Sequence, residues 1–543
     1  MLPLSPRSAS ALIILAFIAV KAVSGQAPAP AATKRLCSVT EVVETDADRA
    51  FRRGDFTAAE TLFRAQLAAA TTEDARSAAT AGLIRTQLAT GKLKEALDAA
   101  KKSVAEHPQD AVLQDVLGEV YFRRGETNEA ASALMAASQL DLCNPRVHFD
   151  IARYWRLSGM YSSAQKELDL AHRLSPHDTT FTRAAASRIQ VPAEDRVARL
   201  TERLESGELS SEERASLQRA IDVARAQTKG SCQVVRPVES TKFPIVPIAN
   251  GPYDMYAAGL DIQLNGHRKR FEIDTGASGL LISRSAAASA GIVAEAETLG
   301  GGLGDHGLTR ELLAHVDSIR IGELEFHNCL VRVFDKRNVL EVDGLIGADV
   351  FSSWLVTLDV PSREVRLAPL PKRPDDTASQ SPELDTAGAD ENTQAIPRDR
   401  YIAPEMRDWT KIFRYGHNLI FSTLIGKTPS KLFIMDTGSS QTIISPAAVR
   451  EVTSVGGSDA RVKGISGEVA KVSETDNLTI TFARVAQPLR NTLAVDTSNL
   501  GRGSGVEISG LIGFPTLREL VITIDYRDNL VHVVYDPKHG FHK

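Results

Sequence analysis

Phe271-Glu-Ile-Asp274-Thr-Gly-Ala-Ser-Gly-Leu-Leu-Ile-Ser283 and Leu432-Phe-Ile-Met-Asp436-Thr-Gly-Ser-Ser-Gln-Thr-Ile-Ile-Ser445 place one Asp-Thr-Gly triplet in two near-identical apolar settings. The apolar approach to each, Phe271 and Ile273 or Leu432 and Ile434, predicts a buried strand. Gly276 and Gly438 then let the chain turn sharply, with backbone N–H groups able to point at the aspartate. Downstream, Leu345-Ile346-Gly347 and Leu511-Ile512-Gly513 follow their aspartates by 347 − 274 = 73 and 513 − 436 = 77 residues. Twelve residues past each of those glycines an aspartate closes an apolar run, Trp354–Asp359 in one copy and Leu520–Asp525 in the other. A lone triplet arises by chance in about one protein of this length in ten, so the matched flanks carry the argument: one domain is written twice. Leu280–Ile282 and Ile443–Ile444 predict core strands leaving the loops, and Ser285–Ala290 and Pro446–Val452 predict a short helix in each copy.

Each triplet with its flanks resembles the active-site loop of the retroviral-type and pepsin-like aspartic proteases. Each Leu-Ile-Gly is similar to the element that supports that loop. The resemblance implies two mainly-β retropepsin-like lobes, with Asp274 and Asp436 as the catalytic pair. It also implies that Thr275 and Thr437 hold the loops together across a pseudo-twofold axis, and that Gly276, Gly438 and Ser439 support them. Two carboxylates sharing one proton can activate a water between them. The implied activity is therefore that of an endopeptidase on a peptide or protein substrate, with no metal or cofactor. Candidate flaps over the cleft are Gly300–Gly304, bending at Gly302 and Gly304, and Val462–Glu468, bending at Gly464 and Gly467. The loops differ after the triplet, Ala277 against Ser439. A Ser439 hydroxyl donating to Asp436 would make Asp436 the ionised base and Asp274 the proton holder. A non-catalytic peptide-binding scaffold is the alternative function, and pairing of like lobes between two chains is the alternative assembly.

Other chemistries find little support. Gly302-x-Gly304-x-x-Gly307 is formally a dinucleotide fingerprint, without the clear buried strand before it or the acidic partner after it. No phosphate-binding Gly-x-x-x-x-Gly-Lys-Ser/Thr loop, Gly-x-Ser-x-Gly elbow or His-Glu-x-x-His helix occurs, and the twelve histidines are scattered, which implies no metal site. A composition 24% charged and 43% hydrophobic is ordinary for globular domains. Net charge −5 without a basic cluster argues against a nucleic-acid partner.

At the N-terminus Arg7 precedes the apolar run Ala11–Val20 and the small residues Ala22–Ala27. The run is short for a spanning helix and Lys21 interrupts it, so cleavage near Gly25 or Ala27 is expected. The mature protein is then exported, periplasmic or secreted, with no stable membrane insertion. Export permits disulfides. Cys37 and Cys232 flank the helical region, and pairing between them is the expectation, with free thiols as the alternative. Cys143 and Cys329 complete the set, and no Cys-x-x-Cys occurs.

Between Thr45 and Pro176 a phrase recurs: Gly54-Asp-Phe-x-x-Ala59, Gly91-Lys-Leu-x-x-Ala96, Gly125-Glu-Thr-x-x-Ala130 and Gly159-Met-Tyr-x-x-Ala164, the glycines stepping by 37, 34 and 34. With Leu117-Gly118-x-x-Tyr121, Ala137, Ala171, Pro108 and Pro176, this resembles tetratricopeptide repeats. Glycine turns the chain between antiparallel helices, and alanine permits their close approach. The resemblance implies an all-α solenoid holding a protein partner or substrate, with a spacer as the alternative. Its distance in sequence from both loops suggests that its removal spares the cleavage of short peptides. Two further helices are expected after Pro192, the second capped by Ser210-Ser-Glu-Glu213, followed by an extended segment 234–248. The expected division is signal peptide 1–27, tetratricopeptide-like repeats 38–228, first lobe 229–370, Pro-rich linker 371–403 and second lobe 404–543.

Overall fold

The computed structural model describes residues 2–3, 37–39, 44–186, 193–206, 209–230, 232–249, 255–305, 307–334, 342–374, 398–501 and 504–535. The apolar run 11–20, the expected cleavage positions and linker residues 375–397 lie outside the described residues.

Helical hairpins come first: α1 (Asp46–Arg52) with α2 (Phe56–Ala69), α3 (Glu73–Ala89) with α4 (Leu93–Glu106), α5 (Ala111–Arg123) with α6 (Thr127–Leu140), and α7 (Pro145–Leu157) with α8 (Tyr161–Leu174). Gly54, Gly91, Gly125 and Gly159 take φ of +77°, +77°, +72° and +75° at the turns, a backbone that strains any residue with a Cβ. The alanine five positions on is buried in every hairpin. Successive repeats are also tied by charge: Arg85 on α3 meets Asp115 and Glu119 on α5, and Glu119 meets Arg146 on α7. α9 (Thr179–Ala186), α10 (Ala193–Ser206) and α11 (Ser211–Gln227) follow. α11 opens on the predicted box, with the Ser210 hydroxyl accepting the Glu213 N–H and the Glu213 carboxylate accepting the Ser210 N–H. α9 is an additional helix, ahead of the two expected after Pro192. No helix among the described residues is long and apolar enough to cross a membrane.

The rest is mainly β. In the first lobe, strand His267–Ile273 lies antiparallel to Met255–Leu264 and parallel to Gly344–Ile346. In the second, Lys431–Met435 lies antiparallel to Asn418–Ile425 and parallel to Gly510–Ile512. The lobes join through a shared sheet. The two apolar runs that close each copy, Trp354–Asp359 and Leu520–Asp525, pair antiparallel with Val356 opposite Ile524, Thr357 opposite Thr523 and Leu358 opposite Ile522. The Thr357 and Thr523 hydroxyls lie 3.0 Å apart. Both threonines stand ten residues past their glycines, 357 − 347 and 523 − 513, so the pseudo-twofold axis passes between them. The lobes thus pair within one chain, and this sheet needs no second chain.

Two expectations are corrected. The disulfides are Cys37–Cys143 and Cys232–Cys329, with no Cys37–Cys232 bond. Flanking a solenoid in sequence does not bring its ends together: Cys143 lies in the loop after α6 next to Cys37, and Cys329 lies on strand Leu324–Phe334, which pairs with the strand that begins just after Cys232. The array, expected to stand apart from the lobes, packs against both of them. Phe122, Ala130 and Leu157 share one apolar cluster with Ile420, Leu432, Ile434 and Leu511 of the second lobe. Beside it Lys431 Nζ meets Glu126 Oε1 at 2.7 Å, with the two side chains only 4% and 3% exposed. α11 packs Ala226 against Ala296 and Leu313 of the first lobe.

Candidate active site

Both Asp-Thr-Gly loops leave the end of a buried strand and are pinned from below. The Asp274 N–H donates to the Ile346 carbonyl at 2.9 Å, and the Asp436 N–H donates to the Ile512 carbonyl at 3.0 Å. The Leu-Ile-Gly strands run beside the loops, and Gly344 and Gly510 pack against the rings of Phe271 and Phe433, where a Cβ would collide. The short apolar phrases read from sequence are therefore the rigid floor of the site.

The threonines interlock. The Thr275 N–H donates to Thr437 Oγ1 and the Thr437 N–H to Thr275 Oγ1, both at 3.0 Å. In turn the Thr275 hydroxyl donates to the Met435 carbonyl at 2.8 Å, and that of Thr437 to the Ile273 carbonyl at 2.7 Å. All four groups are buried and satisfied, so each hydroxyl matters at full desolvation cost. This grip brings Asp274 and Asp436 face to face. Gly276 N–H donates to Asp274 Oδ1 at 2.8 Å and Gly438 N–H to Asp436 Oδ1 at 3.0 Å. A Cβ on Gly276 would lie 2.9 Å from Asp436 Cγ, and one on Gly438 would collide with the Asp274 carboxyl. Glycine is needed there for the close approach of the opposite carboxylate.

The carboxyls are unequal. Burial raises Asp274 above the usual carboxylate range, while the Gly276 N–H, Asp436 and nearby His417 pull it back. Asp436 is held well above its ordinary value, first by burial and then by the charge of Asp274. The pair titrates as a unit, with both carboxyls above the ordinary range and one proton to share. The Ser439 hydroxyl, expected to donate to Asp436, instead donates to the Gln441 carbonyl at 2.8 Å.

All four flap glycines lie where the two candidate flaps meet. Gly302 N–H donates to Ser466 Oγ at 2.9 Å, and Ser466 N–H to the Leu303 carbonyl at 3.0 Å. Gly304 has φ +132° against Ser466 and Gly467, Gly467 has φ +101°, and Gly464 abuts the Leu303 carbonyl. The tips cross over: Leu303 packs into the second lobe's cluster with Val462, Val469 and Leu493, while Ile465 packs on Ala277, Leu281, Phe334 and Leu345 of the first. The Gly302–Gly307 stretch leads from strand Ala294–Gly300 into strand Thr309–Ile321. With no helix there to receive a pyrophosphate, the dinucleotide reading fails. Among the described residues no group of three His, Cys, Asp or Glu could hold a metal ion.

Sequence reasoning missed the shell around the first loop. Asp349 accepts from the Gly279 N–H at 3.0 Å and the Ser278 hydroxyl at 3.1 Å, and Arg332 donates to the Ser278 carbonyl at 2.7 Å. His417 reaches across from the second lobe, its Nε2 2.9 Å from the Gly276 carbonyl oxygen. No short-range pattern marks these residues.

With this geometry in place, residues 260–350 match the family model described as aspartyl protease, and residues 43–142 match that of a tetratricopeptide repeat-like domain. Over those two stretches the chain is therefore similar to aspartyl proteases and to tetratricopeptide repeat-like domains. No curated protein matches it. Among solved structures, a tetratricopeptide repeat protein of Thermus thermophilus is 25% identical, covering 32% of this chain and 95% of that one at a TM-score of 0.24. A retropepsin-like aspartic protease from Rickettsia conorii is 17% identical, covering 25% and 92% at 0.18. An aspartic proteinase from Irpex lacteus is 11% identical, covering 55% and 98% at 0.31.

Proposed function

We propose that this chain is an exported aspartic endopeptidase that hydrolyses peptide bonds with a water activated between Asp274 and Asp436. The observation that carries the reading is the opposition of two buried carboxyls on loops locked by reciprocal threonine bonds. Asp274, the ionised partner, takes a proton from the water, whose oxygen bonds to the scissile carbonyl carbon. Asp436 gives its proton to the developing oxyanion; the carbon–nitrogen bond then breaks as Asp274 passes the proton it took from the water to the departing amine, and a hydroxyl of the diol returns its proton to Asp436 as the carbonyl re-forms. Burial serves this chemistry, because a water-excluded site strengthens each electrostatic interaction. A scaffold that only binds peptides has no physical use for two costly buried carboxyls in contact.

Export is supported by the N-terminal run and by two disulfides, which persist in oxidising compartments. Mass spectrometry of the mature N-terminus tests it, and recovery of residues 1–25 intact in the membrane fraction would refute it. The repeats recruit a protein partner or substrate. Substitutions at Gln114, Asn128 and Ser132, which line an open groove between α5 and α6, should slow turnover of a protein substrate and spare short peptides. Equal loss of both would make the array structural support. The catalytic claim is tested by cleavage of a peptide library with and without a statine-type transition-state mimic; no mimic-sensitive cleavage at any acidic or neutral pH would sink it.

A further inference from the structure

His417 belongs to the second lobe by sequence and to the first lobe's loop by contact. It follows Gly416 in the tight turn between strands Phe413–Tyr415 and Asn418–Ile425, and that turn carries the ring across the lobe boundary to Gly276. A carbonyl oxygen only accepts, so Nε2 bears a hydrogen in either charge state and any second proton goes to Nδ1. Gly276 is the residue whose own N–H grips Asp274. One imidazole thus holds the far side of the peptide turn that orients one carboxylate. Among the described residues no histidine bonds to the second loop in the same way.

The groups facing the ring come from three elements. Asp274 lies in the triplet loop, and Asp349 in the short 3-10 helix Ala348–Phe351 behind it. Arg332, on strand Leu324–Phe334, is engaged by the Ser278 carbonyl and by Glu311. On His417's own hairpin, Arg414 folds back on the turn, donating to the Gly416 carbonyl and to the Tyr526 carbonyl, both at 2.7 Å, with its charge felt by Asp349. Two carboxylates and one already engaged guanidinium therefore surround the imidazole.

The geometry points to His417 as a positioning residue that makes the two catalytic carboxyls unequal: its hydrogen bond steadies the Gly276 turn, and its charge, when present, keeps Asp274 the ionised partner. This rests on the aspartic endopeptidase reading above. A cation beside a carboxylate favours the ionised form. Burial holds His417 below its ordinary range, against the pull of Asp349, so the charge is fully present only in acid and is lost as pH rises through that lowered value. Acid is where the charge is useful, since there the dyad is most at risk of taking a second proton and losing its base.

The test is a set of pH–rate profiles of the full chain on a peptide substrate, for the wild type, His417→Gln and His417→Ala. Both variants remove the charge, and glutamine retains a donor for Gly276. The acidic limb of kcat/KM should move upward by about one pH unit in both, and the plateau rate should fall further in His417→Ala than in His417→Gln. A limb that stays in place in both variants overturns the inference. A second readout does not need cleavage: the His417 imidazole, followed by NMR titration, should lose its proton at lower pH in Asp274→Asn than in the wild type. An unchanged titration midpoint overturns the coupling, even if the chain cleaves nothing and only the endopeptidase reading has failed.

Discussion

The two lobes share a floor, a grip and a glycine turn, and they keep very different company. Leu281 and Ile443 stand seven residues past their aspartates, 281 − 274 and 443 − 436. Each pairs in parallel with a neighbouring strand, Leu281 with Arg332 and Ile443 with Leu493. Arg332 and Leu493 are therefore counterparts, one charged and one apolar. Behind the first loop Asp349 holds Ser278 and Gly279, whereas behind the second the Thr442 and Thr516 hydroxyls meet at 3.0 Å. His417 adds a titratable group to the first loop. The lesson is that near-symmetric hydrogen bonds can bring two carboxyls together, while the groups around them differ from one loop to the other.

The largest expected effect breaks the symmetry outright. Asp274→Asn and Asp436→Asn should each lower kcat by about 10⁴-fold or more, and mixing the two proteins at moderate concentration should restore nothing. Substantial activity in either mutant alone would mean that like lobes pair between chains, and the intrachain dyad would fall.

Next comes the company kept outside the site. Glu126→Gln leaves Lys431 buried with Glu451 as its remaining carboxylate partner at 3.2 Å, so the loss, read from denaturant midpoints, should fall below the about 3–5 kcal/mol of a buried pair broken outright. The double variant Glu126→Leu with Lys431→Met should recover most of that loss. A neutral Glu126→Gln would show that the array only touches the second lobe. For the same reason deletion of 38–228 is expected to impair short-peptide and protein cleavage together, because it bares Lys431, Leu432 and Ile420.

The grip itself offers a symmetric control. Thr275→Val and Thr437→Val each remove two hydrogen bonds and strand a buried N–H, at about 2–4 kcal/mol apiece. Nearly equal destabilisation by the two would confirm that the lobes differ around the grip and not in it; a large inequality would move the asymmetry into the threonines.

The smallest effect is expected at Ser439. Its hydroxyl bonds to a nearby carbonyl, so Ser439→Ala should cost about 1 kcal/mol or less and leave the acidic limb of the pH–rate profile where it is. A limb moved by Ser439→Ala, with none moved by His417→Gln, would return the proton asymmetry to the residue after the triplet.

Much of the architecture was legible because it is periodic or local. The Gly-x-x-x-x-Ala phrase names both the turn that needs positive φ and the buried helix crossing. The capping box at Ser210 announces the start of α11. The apolar runs ending at Asp359 and Asp525 are strands, and their repetition marked one domain written twice, although not that the two runs would pair with each other. The disulfides were misread because order along the chain says nothing about which loops a solenoid stacks side by side. α9 was missed because Thr179–Ala186 offers only two buried apolar residues, Phe181 and Ala185.

By itself the sequence determined two copies of one β lobe, four helical hairpins, and the pair Asp274 and Asp436 with their threonines and glycines, since each is specified by residues within a few positions of one another. Only the tertiary structure decided that Lys431 is buried against Glu126, that the flap tips exchange Leu303 and Ile465, and that His417, Asp349 and Arg332 crowd one loop of the two. Those are contacts between segments far apart in the chain, selected by packing and by the need to satisfy buried charge, and no local pattern encodes them.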